Sequence, residues 1–194
     1  MKVYSFFTEP ASYTLDLVDN VYDKMSIDYC FLNSHSKAFA SFNDKKNVFL
    51  NQMRIVECVK HLLNVRRNYD VIIFNSYDTL TFIFIFLINV FSLKKKYIAI
   101  ESDTQLLIPK IYIKRLLKHF YLSIVFQNNH IFGLAGGNYS HKDLFRRYGM
   151  KEDRIFLMPM MVDNSKFHVE KKKFPNPFIF LFVGRLVPHK NVEN

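Results

Sequence analysis

The fold class of this chain follows from residues 70–100, which read DVIIFNSYDTLTFIFIFLINVFSLKKKYIAI. Two strand-length apolar runs, Val71–Asn75 and Tyr97–Ile100, flank a helix-length apolar segment, Thr79–Phe91. That segment is shorter than the roughly 20 apolar residues that span a bilayer, so a buried helix is favoured over a membrane-inserted one. Apolar strands joined by helices are typical of a parallel sheet that is covered on both faces.

The same alternation continues on both sides of this unit. Further strands are predicted at Lys2–Phe7, Ile27–Leu32, His130–Ala135 and Ile155–Met158. Further helices are predicted at Ser12–Lys24, Phe49–Arg67, Pro109–Phe126 and Ser140–Tyr148. We therefore expect an α/β fold, a Rossmann-like parallel sheet with flanking helices.

Local signals predict where two of these helices begin and end. Pro109 suits the first turn of a helix, where its missing N–H is not needed. Ser140 with Asp143 three residues later resembles a capping box. Gly149 suits the left-handed position that closes a helix.

The pattern changes after Phe167. Residues 168–177 are polar, charged and interrupted by proline, which predicts a linker. Residues 178–194 then begin with a new apolar strand and a glycine turn. The predicted organisation is an N-terminal domain at 1–167, a linker at 168–177, and the first strand and turn of an incomplete C-terminal domain at 178–194.

Composition limits the classes of function. The chain has 194 residues, 49% of them hydrophobic, and only five glycines, none of which precedes Gly133. A chain this apolar can bury a core and is not intrinsically disordered. The absence of glycine from the first 132 residues excludes a glycine-rich phosphate loop there.

Charge is unevenly distributed. Residues 1–93 hold nine Lys/Arg and nine Asp/Glu, whereas residues 94–194 hold eighteen and eight, and so carry the whole net charge of +10. A basic half suits nucleic acid, an anionic membrane or phosphorylated substrates, and a solvated basic surface is the alternative. No nucleic-acid-binding signature accompanies the charge, so we expect no nucleic-acid partner.

The remaining composition favours a cytoplasmic protein without a metal. Cys30 and Cys58 lack metal-type spacing, and two free thiols are expected rather than a disulfide, which indicates a reducing compartment. The seven histidines show no ligand spacing either. No signal peptide is expected, since Glu9-Pro10 ends the first apolar run.

The segment with the most specific chemistry is FVGRLVPHKN at residues 182–191. It predicts a buried strand, a glycine turn at Gly184 and two cations, Arg185 and Lys190. Glycine allows a ligand to approach the backbone closely, and the two cations can neutralise a diphosphate. A solvated turn is the alternative.

This segment resembles the opening of the C-terminal domain of family 4 glycosyltransferases of the GT-B fold. Ser140–Gly149 resembles the helix that precedes the interdomain linker in that family. Lys151–Phe167 is similar to the family's K-I-x-V-I-P-N-G-V-D-x-x-x-F passage. The segments occur in the family's order and spacing, whereas residues before Asn138 share only its alternation of strands and helices.

The resemblance implies a retaining transferase that moves a hexose from a nucleoside-diphosphate sugar to a saccharide or lipid-linked acceptor, in cell-surface polysaccharide synthesis. Gly184, Arg185 and Lys190 match the positions that hold the donor diphosphate. Asp163 matches an aspartate whose role is mainly structural. The resemblance implies no separate cofactor.

The chain also departs from the family pattern. Thr8-Glu9-Pro10 stands where the family often has a glycine-bearing loop, and Met160-Met161 replaces an Asn-Gly pair. The family's Glu-x7-Glu donor motif is expected beyond Asn194. We therefore expect little or no activity from these 194 residues alone.

The acceptor side is predicted at the carboxyl ends of the strands, where α/β sheets place ligand groups. Glu101 and Asp103 follow a predicted strand and are the candidate catalytic residues, with a solvated loop or helix cap as the alternative. Ser5–Glu9 follows the first strand and is a weaker candidate on the same reasoning.

A basic amphipathic helix is predicted after Pro109, with Lys110, Lys114, Arg115 and Lys118 interleaved with apolar residues. Such a helix suits an anionic membrane surface, and with it a peripheral location at the inner face of the membrane where lipid-linked acceptors reside. The alternative is a helix that packs its apolar face on the sheet. Two functions remain open: a glycosyltransferase, or a non-enzymatic peripheral membrane or partner-binding protein.

Overall fold

A computed structural model of the protein describes residues 1–34, 47–104, 106–137 and 139–159. All of them belong to one compact unit, Met1–Asp163. The predicted domain boundaries at 167/168 and 177/178 lie outside the described residues.

Six parallel strands form the sheet of the described region: β1 (Val3–Phe7), β2 (Asp28–Phe31), β3 (Val71–Phe74), β4 (Tyr97–Ser102), β5 (Ile131–Ala135) and β6 (Ile155–Leu157). Their order is β2-β1-β3-β4-β5-β6, so the direction of winding reverses between β1 and β3. Each predicted strand is confirmed to within two residues at either end. The Rossmann-like α/β fold is confirmed as predicted.

Six α-helices flank or connect these strands in the described region: α1 (Ser12–Leu17), α2 (Asp23–Met25), α3 (Ile55–Asn68), α4 (Leu80–Phe91), α5 (Tyr112–Gln127) and α6 (Lys142–Arg147). A π-helical turn, Val18–Tyr22, joins α1 to α2, so the predicted Ser12–Lys24 helix changes its hydrogen-bond pattern midway. A 3₁₀ turn, Leu50–Gln52, precedes α3 and separates residue 49 from the helix proper.

The observed helix ends agree only in part with those predicted from local sequence signals. Helix α5 begins at Tyr112, so Pro109 lies before the first turn and its predicted place in the helix is wrong. The cap of α6 falls on His141 after a 3₁₀ turn, which displaces the capping box predicted for Ser140. Asp143 instead pairs with Arg146 at 3.0 Å. Gly149 has a φ of +90°, which confirms its left-handed closing position.

Apolar side chains cover both faces of the sheet. Phe6 and Phe7 are both buried yet belong to different core clusters, because successive strand residues point to opposite faces. Phe6 stacks on Phe74 with ring centroids 4.8 Å apart, within the larger cluster that includes Phe82 and Phe126. Each such side chain contributes roughly 1.5–3 kcal/mol when fully buried.

The two cysteines are free, as predicted. Cys30 is buried on β2 and Cys58 is partly exposed on α3. Burial raises the pKa of the Cys30 thiol to about 12, which leaves it protonated at neutral pH.

Candidate functional site

A cavity of about 250 Å³ opens at the carboxyl edge of the sheet, where the strand order reverses. It is lined by residues that follow β1, by helix α1, and by residues at the ends of β3 and β4: Thr8, Glu9, Tyr13, Thr14, Asn75, Glu101 and Asp103. In open α/β sheets this reversal leaves a crevice between neighbouring connections, and ligands bind there.

The backbone of three neighbouring strands brings the lining together. Phe6 on β1 pairs with Phe74 on β3, and Phe74 pairs in turn with Ile100 on β4. The residues that follow these three positions therefore emerge side by side. The Asn75 N–H also donates to the Phe6 carbonyl at 3.3 Å, which fixes the start of its loop against β1.

The lining of the cavity is acidic. Three of its lining residues are acidic, Glu9, Glu101 and Asp103, and none of the seven is Lys, Arg or His. Burial, together with the negative charges of Asp103 and Glu9, also raises the pKa of Tyr13. This lining suits ligands that donate hydrogen bonds or carry positive charge, and it disfavours a phosphate.

Glu101 is the titrating group of the cavity. Burial, with a smaller contribution from the charge of Asp103, raises its pKa to about 7. The side chain therefore exchanges a proton near neutral pH. A carboxyl group with a pKa in this range serves as a general acid or base.

Asn75 also lines this cavity, and its side chain holds a buried acceptor without a donor among the described residues. Its Oδ1 atom is buried and accepts no hydrogen bond from the described part of the chain. An unpaired buried acceptor of this kind costs about 1–3 kcal/mol, which a donor from a ligand or a water molecule would recover.

Gly136 allows the loop after β4 to pass close to β5. Its N–H donates to the Ser102 carbonyl at 2.9 Å. A Cβ atom at this position would lie 3.3 Å from the Cα of Asp103, so a larger side chain would displace the loop that carries the acidic residue.

The structure brings together part of the predicted site. Glu101, Asp103, Thr8 and Glu9 line one cavity, in line with the prediction for the carboxyl ends of the first and fourth strands. Sequence reasoning missed Tyr13, Thr14 and Asn75. Asn75 was detectable, because it ends a predicted strand at the same edge as Glu101. The predicted donor-binding residues Gly184, Arg185 and Lys190, and also Asp163, lie outside the described residues.

The predicted basic surface lies apart from the cavity lining. Lys110, Lys114 and Arg115 are exposed on α5 and the segment before it. Lys118 donates from Nζ to the Leu107 carbonyl at 2.9 Å. The Arg115 guanidinium lies 5.4 Å from the centre of the Tyr112 ring, a cation–π arrangement.

Neither a metal-binding cluster nor a membrane-spanning helix occurs among the described residues. No group of three or more His, Cys, Asp or Glu side chains there is arranged to hold a metal ion. No helix of the described region is long and apolar enough to cross a membrane.

Comparison with known proteins adds no relative to this description. No family model, no curated protein and no solved structure matches the chain. Function is therefore inferred from the cavity and from the surface of α5.

Proposed function

We propose that this protein is a glycosyltransferase that uses a nucleoside-diphosphate sugar, and that the cavity at the strand reversal binds its acceptor. The observation that carries the proposal is the polar, acidic cavity at this point of a Rossmann-like sheet, with Glu101 titrating near neutral pH. The resemblance of residues 138–194 to GT-B glycosyltransferases supports the same assignment.

The cavity lining fits a saccharide. Sugar hydroxyls donate hydrogen bonds well to carboxylate oxygens, which Glu101 and Asp103 provide. The ring of Tyr13 supplies an apolar wall of the kind that accompanies polar groups in small-molecule sites.

The same lining argues for the acceptor rather than the donor. A donor diphosphate needs cations or free backbone N–H groups, and no cation lines this cavity. The proposed donor contacts are instead Gly184, Arg185 and Lys190, which match the family's diphosphate motif.

In this proposal, Glu101 accepts the proton that the acceptor hydroxyl loses. In the transfer, the acceptor oxygen bonds the anomeric carbon, the bond from that carbon to the diphosphate breaks, and the hydroxyl proton leaves. A carboxylate with a pKa of about 7 can accept that proton at neutral pH and still release it afterwards. Asp103 raises the basicity of Glu101 through its charge.

Acceptor binding by the 194-residue chain tests the proposal. Ligand-observed NMR with a panel of methyl hexosides should show binding that Glu101→Gln weakens by at least about tenfold, since a hydrogen bond to a charged group contributes roughly 1.5–3 kcal/mol. Asp19→Asn, an exposed acidic position on the helical segment after β1, is the matched control and should bind as the wild type does.

Pyrophosphate distinguishes the acceptor from the donor assignment. It should not compete with the bound hexoside, because the cavity lining is acidic. Competition by pyrophosphate, or the absence of binding by every hexoside, would contradict the proposal.

The second candidate, a non-enzymatic peripheral membrane protein, is favoured by one observation, the exposed apolar face of α5. That face is compatible with either function.

A further inference from the structure

One face of helix α5 changes from basic to apolar along its length. Five residues at intervals of three or four share that face: Tyr112, Arg115, His119, Leu122 and Phe126. Leu122 and Phe126 are fully buried in the core, whereas Arg115 and His119, earlier in the same helix, are exposed. The face that packs on the rest of the protein in the second half of α5 therefore presents basic side chains in the first half.

The end of helix α6 packs against this face. The Phe145 ring lies 5.0 Å from the Phe126 ring, measured between centroids. Tyr148, which directly follows α6, is buried, and its ring centroid lies 5.7 Å from that of His119. Arg147, the last residue of α6, is thereby positioned beside the first half of α5, where it lines the same cavity as Arg115.

This cavity has a volume of about 270 Å³. Three of its lining side chains carry basic nitrogen atoms, Arg115, His119 and Arg147. The rest of the lining is apolar or aromatic: Ile108, Tyr112, Leu116 and Tyr148. None of these seven described residues is Asp or Glu, so the charge of this cavity is opposite to that of the cavity at the strand reversal.

The two guanidinium groups of the cavity have no acidic partner in the described part of the chain. Their neighbour Arg146 differs, because it pairs with Asp143 at 3.0 Å and with Glu152 at 2.8 Å. The acidic residues near α6 therefore engage Arg146. Arg115 and Arg147 remain available to an anion, and an anion bound between them would offset their mutual repulsion.

A phosphate group suits this lining better than a carboxylate does. Each guanidinium presents a planar set of N–H donors that matches two oxygens of a phosphate. A phosphate monoester has enough oxygens and charge for two guanidinium groups, whereas a carboxylate has only two oxygens. Ile108, Leu116 and the Tyr112 ring then face the group that is attached to the phosphate. That group must be small, because the cavity is below the roughly 300–1,000 Å³ of sites for drug-sized ligands.

We propose that the cavity between α5 and the end of α6 binds a small phosphate monoester with an aromatic or apolar substituent, and that Arg115 and Arg147 contact its phosphate. These cations lie on the face of α5 that packs towards α6, so the phosphate enters between two helices. This position favours a soluble molecule over a headgroup that is fixed in the plane of a bilayer. The inference goes beyond the proposed transferase activity and does not depend on it.

Phenyl phosphate is a suitable probe of the site. Its dissociation constant is measured by ³¹P NMR as the 194-residue chain is titrated into the probe. We expect saturable binding, and inorganic phosphate should bind at least about fivefold more weakly because it has no ring to contact the apolar wall. Phenol should not compete, because it has no phosphate. Tyr112→Ser should reduce the preference for phenyl phosphate over inorganic phosphate.

A pair of double variants tests the role of the two guanidinium groups. Arg115→Gln/Arg147→Gln should weaken the binding of phenyl phosphate by at least about tenfold, because charge-assisted hydrogen bonds to the phosphate are lost. Arg67→Gln/Lys151→Gln removes two exposed cations outside the cavity lining and is the matched control. It should bind within about twofold of the wild type at about 0.15 M salt, where distant exposed charges are screened. All four residues are exposed, so the thermal unfolding of both variants should match that of the wild type.

Further arms distinguish this cavity from other sources of phosphate binding. Arg185→Gln/Lys190→Gln alters the proposed diphosphate site and should leave the effect of Arg115→Gln/Arg147→Gln unchanged. The proposal is overturned if phenyl phosphate does not bind, or if the control variant loses as much binding as Arg115→Gln/Arg147→Gln does. It is also overturned if only Arg185→Gln/Lys190→Gln removes binding, or if vesicles containing phosphatidic acid bind and no soluble phosphate monoester does.

Discussion

The acidic cavity and the basic helix α5 are joined by a short segment of chain, yet their chemistry is opposite. The cavity has three acidic residues and no cation in its lining, whereas the 39 residues from Thr104 to Lys142 contain no acid. The cavity also draws its groups from three strands and a helix, while the α5 surface is formed mainly by one helix. The difference indicates that the two regions suit different ligands: the cavity favours groups that donate hydrogen bonds or carry positive charge, and the surface of α5 favours anions.

The two regions also differ in which side chains are buried and which are exposed. In the cavity, burial raises the pKa of the Glu101 carboxyl group to about 7, a value that suits proton transfer at neutral pH. On α5, apolar side chains that a globular core would bury are left in solvent. Function is expected at both places because each keeps an arrangement that stability alone disfavours.

The largest expected effect distinguishes the two faces of α5. Phe126 is 0% exposed and its ring lies 5.0 Å from that of Phe145, whereas Phe120 is 68% exposed. Phe126→Ala should lower the free energy of unfolding by about 3–5 kcal/mol, because it leaves a cavity in the core. Phe120→Ala on the same helix should change it by less than about 0.5 kcal/mol. Urea denaturation measures both, and equal losses would show that Phe120 belongs to the core rather than to the exposed face of α5.

The next effect concerns the buried charge of the cavity. The pKa of Glu101 in the folded chain, about 7, lies above its ordinary value of 4.5, so the folded state holds this proton more tightly. Its contribution to stability is therefore present below pH 4.5 and is lost as pH rises to about 7. Glu101→Gln should raise the free energy of unfolding at pH 8 by about 3 kcal/mol and have little effect at pH 4.

Thermal unfolding of the wild type and of Glu101→Gln across this pH range measures the difference in their free energies of unfolding. The other titrating groups contribute equally to both proteins and cancel in that difference. Asp19→Asn is the control and should follow the wild-type curve at every pH. A Glu101→Gln difference that is constant between pH 4 and pH 8 would show that Glu101 is not held in a raised-pKa state.

Much of the fold was predictable because it depends on local patterns. The β-branched and aromatic runs predicted each of the six strands that the described region contains, since parallel strands buried on both faces are apolar throughout. Helix boundaries were less accurate, because Pro109 lies three residues before the start of α5 and Ser140 lies within the 3₁₀ turn that precedes α6. Capping residues describe local preferences, and the neighbouring 3₁₀ turn decided the outcome at α6.

The site was predictable only where it follows the strand ends. Glu101 and Asp103 were found by that rule, and Asn75 would have been found by the same rule. Tyr13 and Thr14 depend on how α1 packs over the sheet, which no local pattern specifies. The exposed face of α5 was also undetermined, because its apolar residues occupy enough of the helix surface for either side to face the sheet. Only the burial of Leu122, Val125 and Phe126 settles that choice.

The most direct test of the acceptor cavity is the titration of Glu101 itself, followed through the carboxyl carbon by NMR of ¹³C-labelled protein. Assignment comes from the signal that Glu101→Gln removes. We expect a midpoint near pH 7 in the free protein, and a displaced midpoint when the bound methyl hexoside contacts the carboxyl group. A midpoint near 4.5 that no hexoside moves would contradict the assignment of Glu101 as the group that receives the acceptor proton.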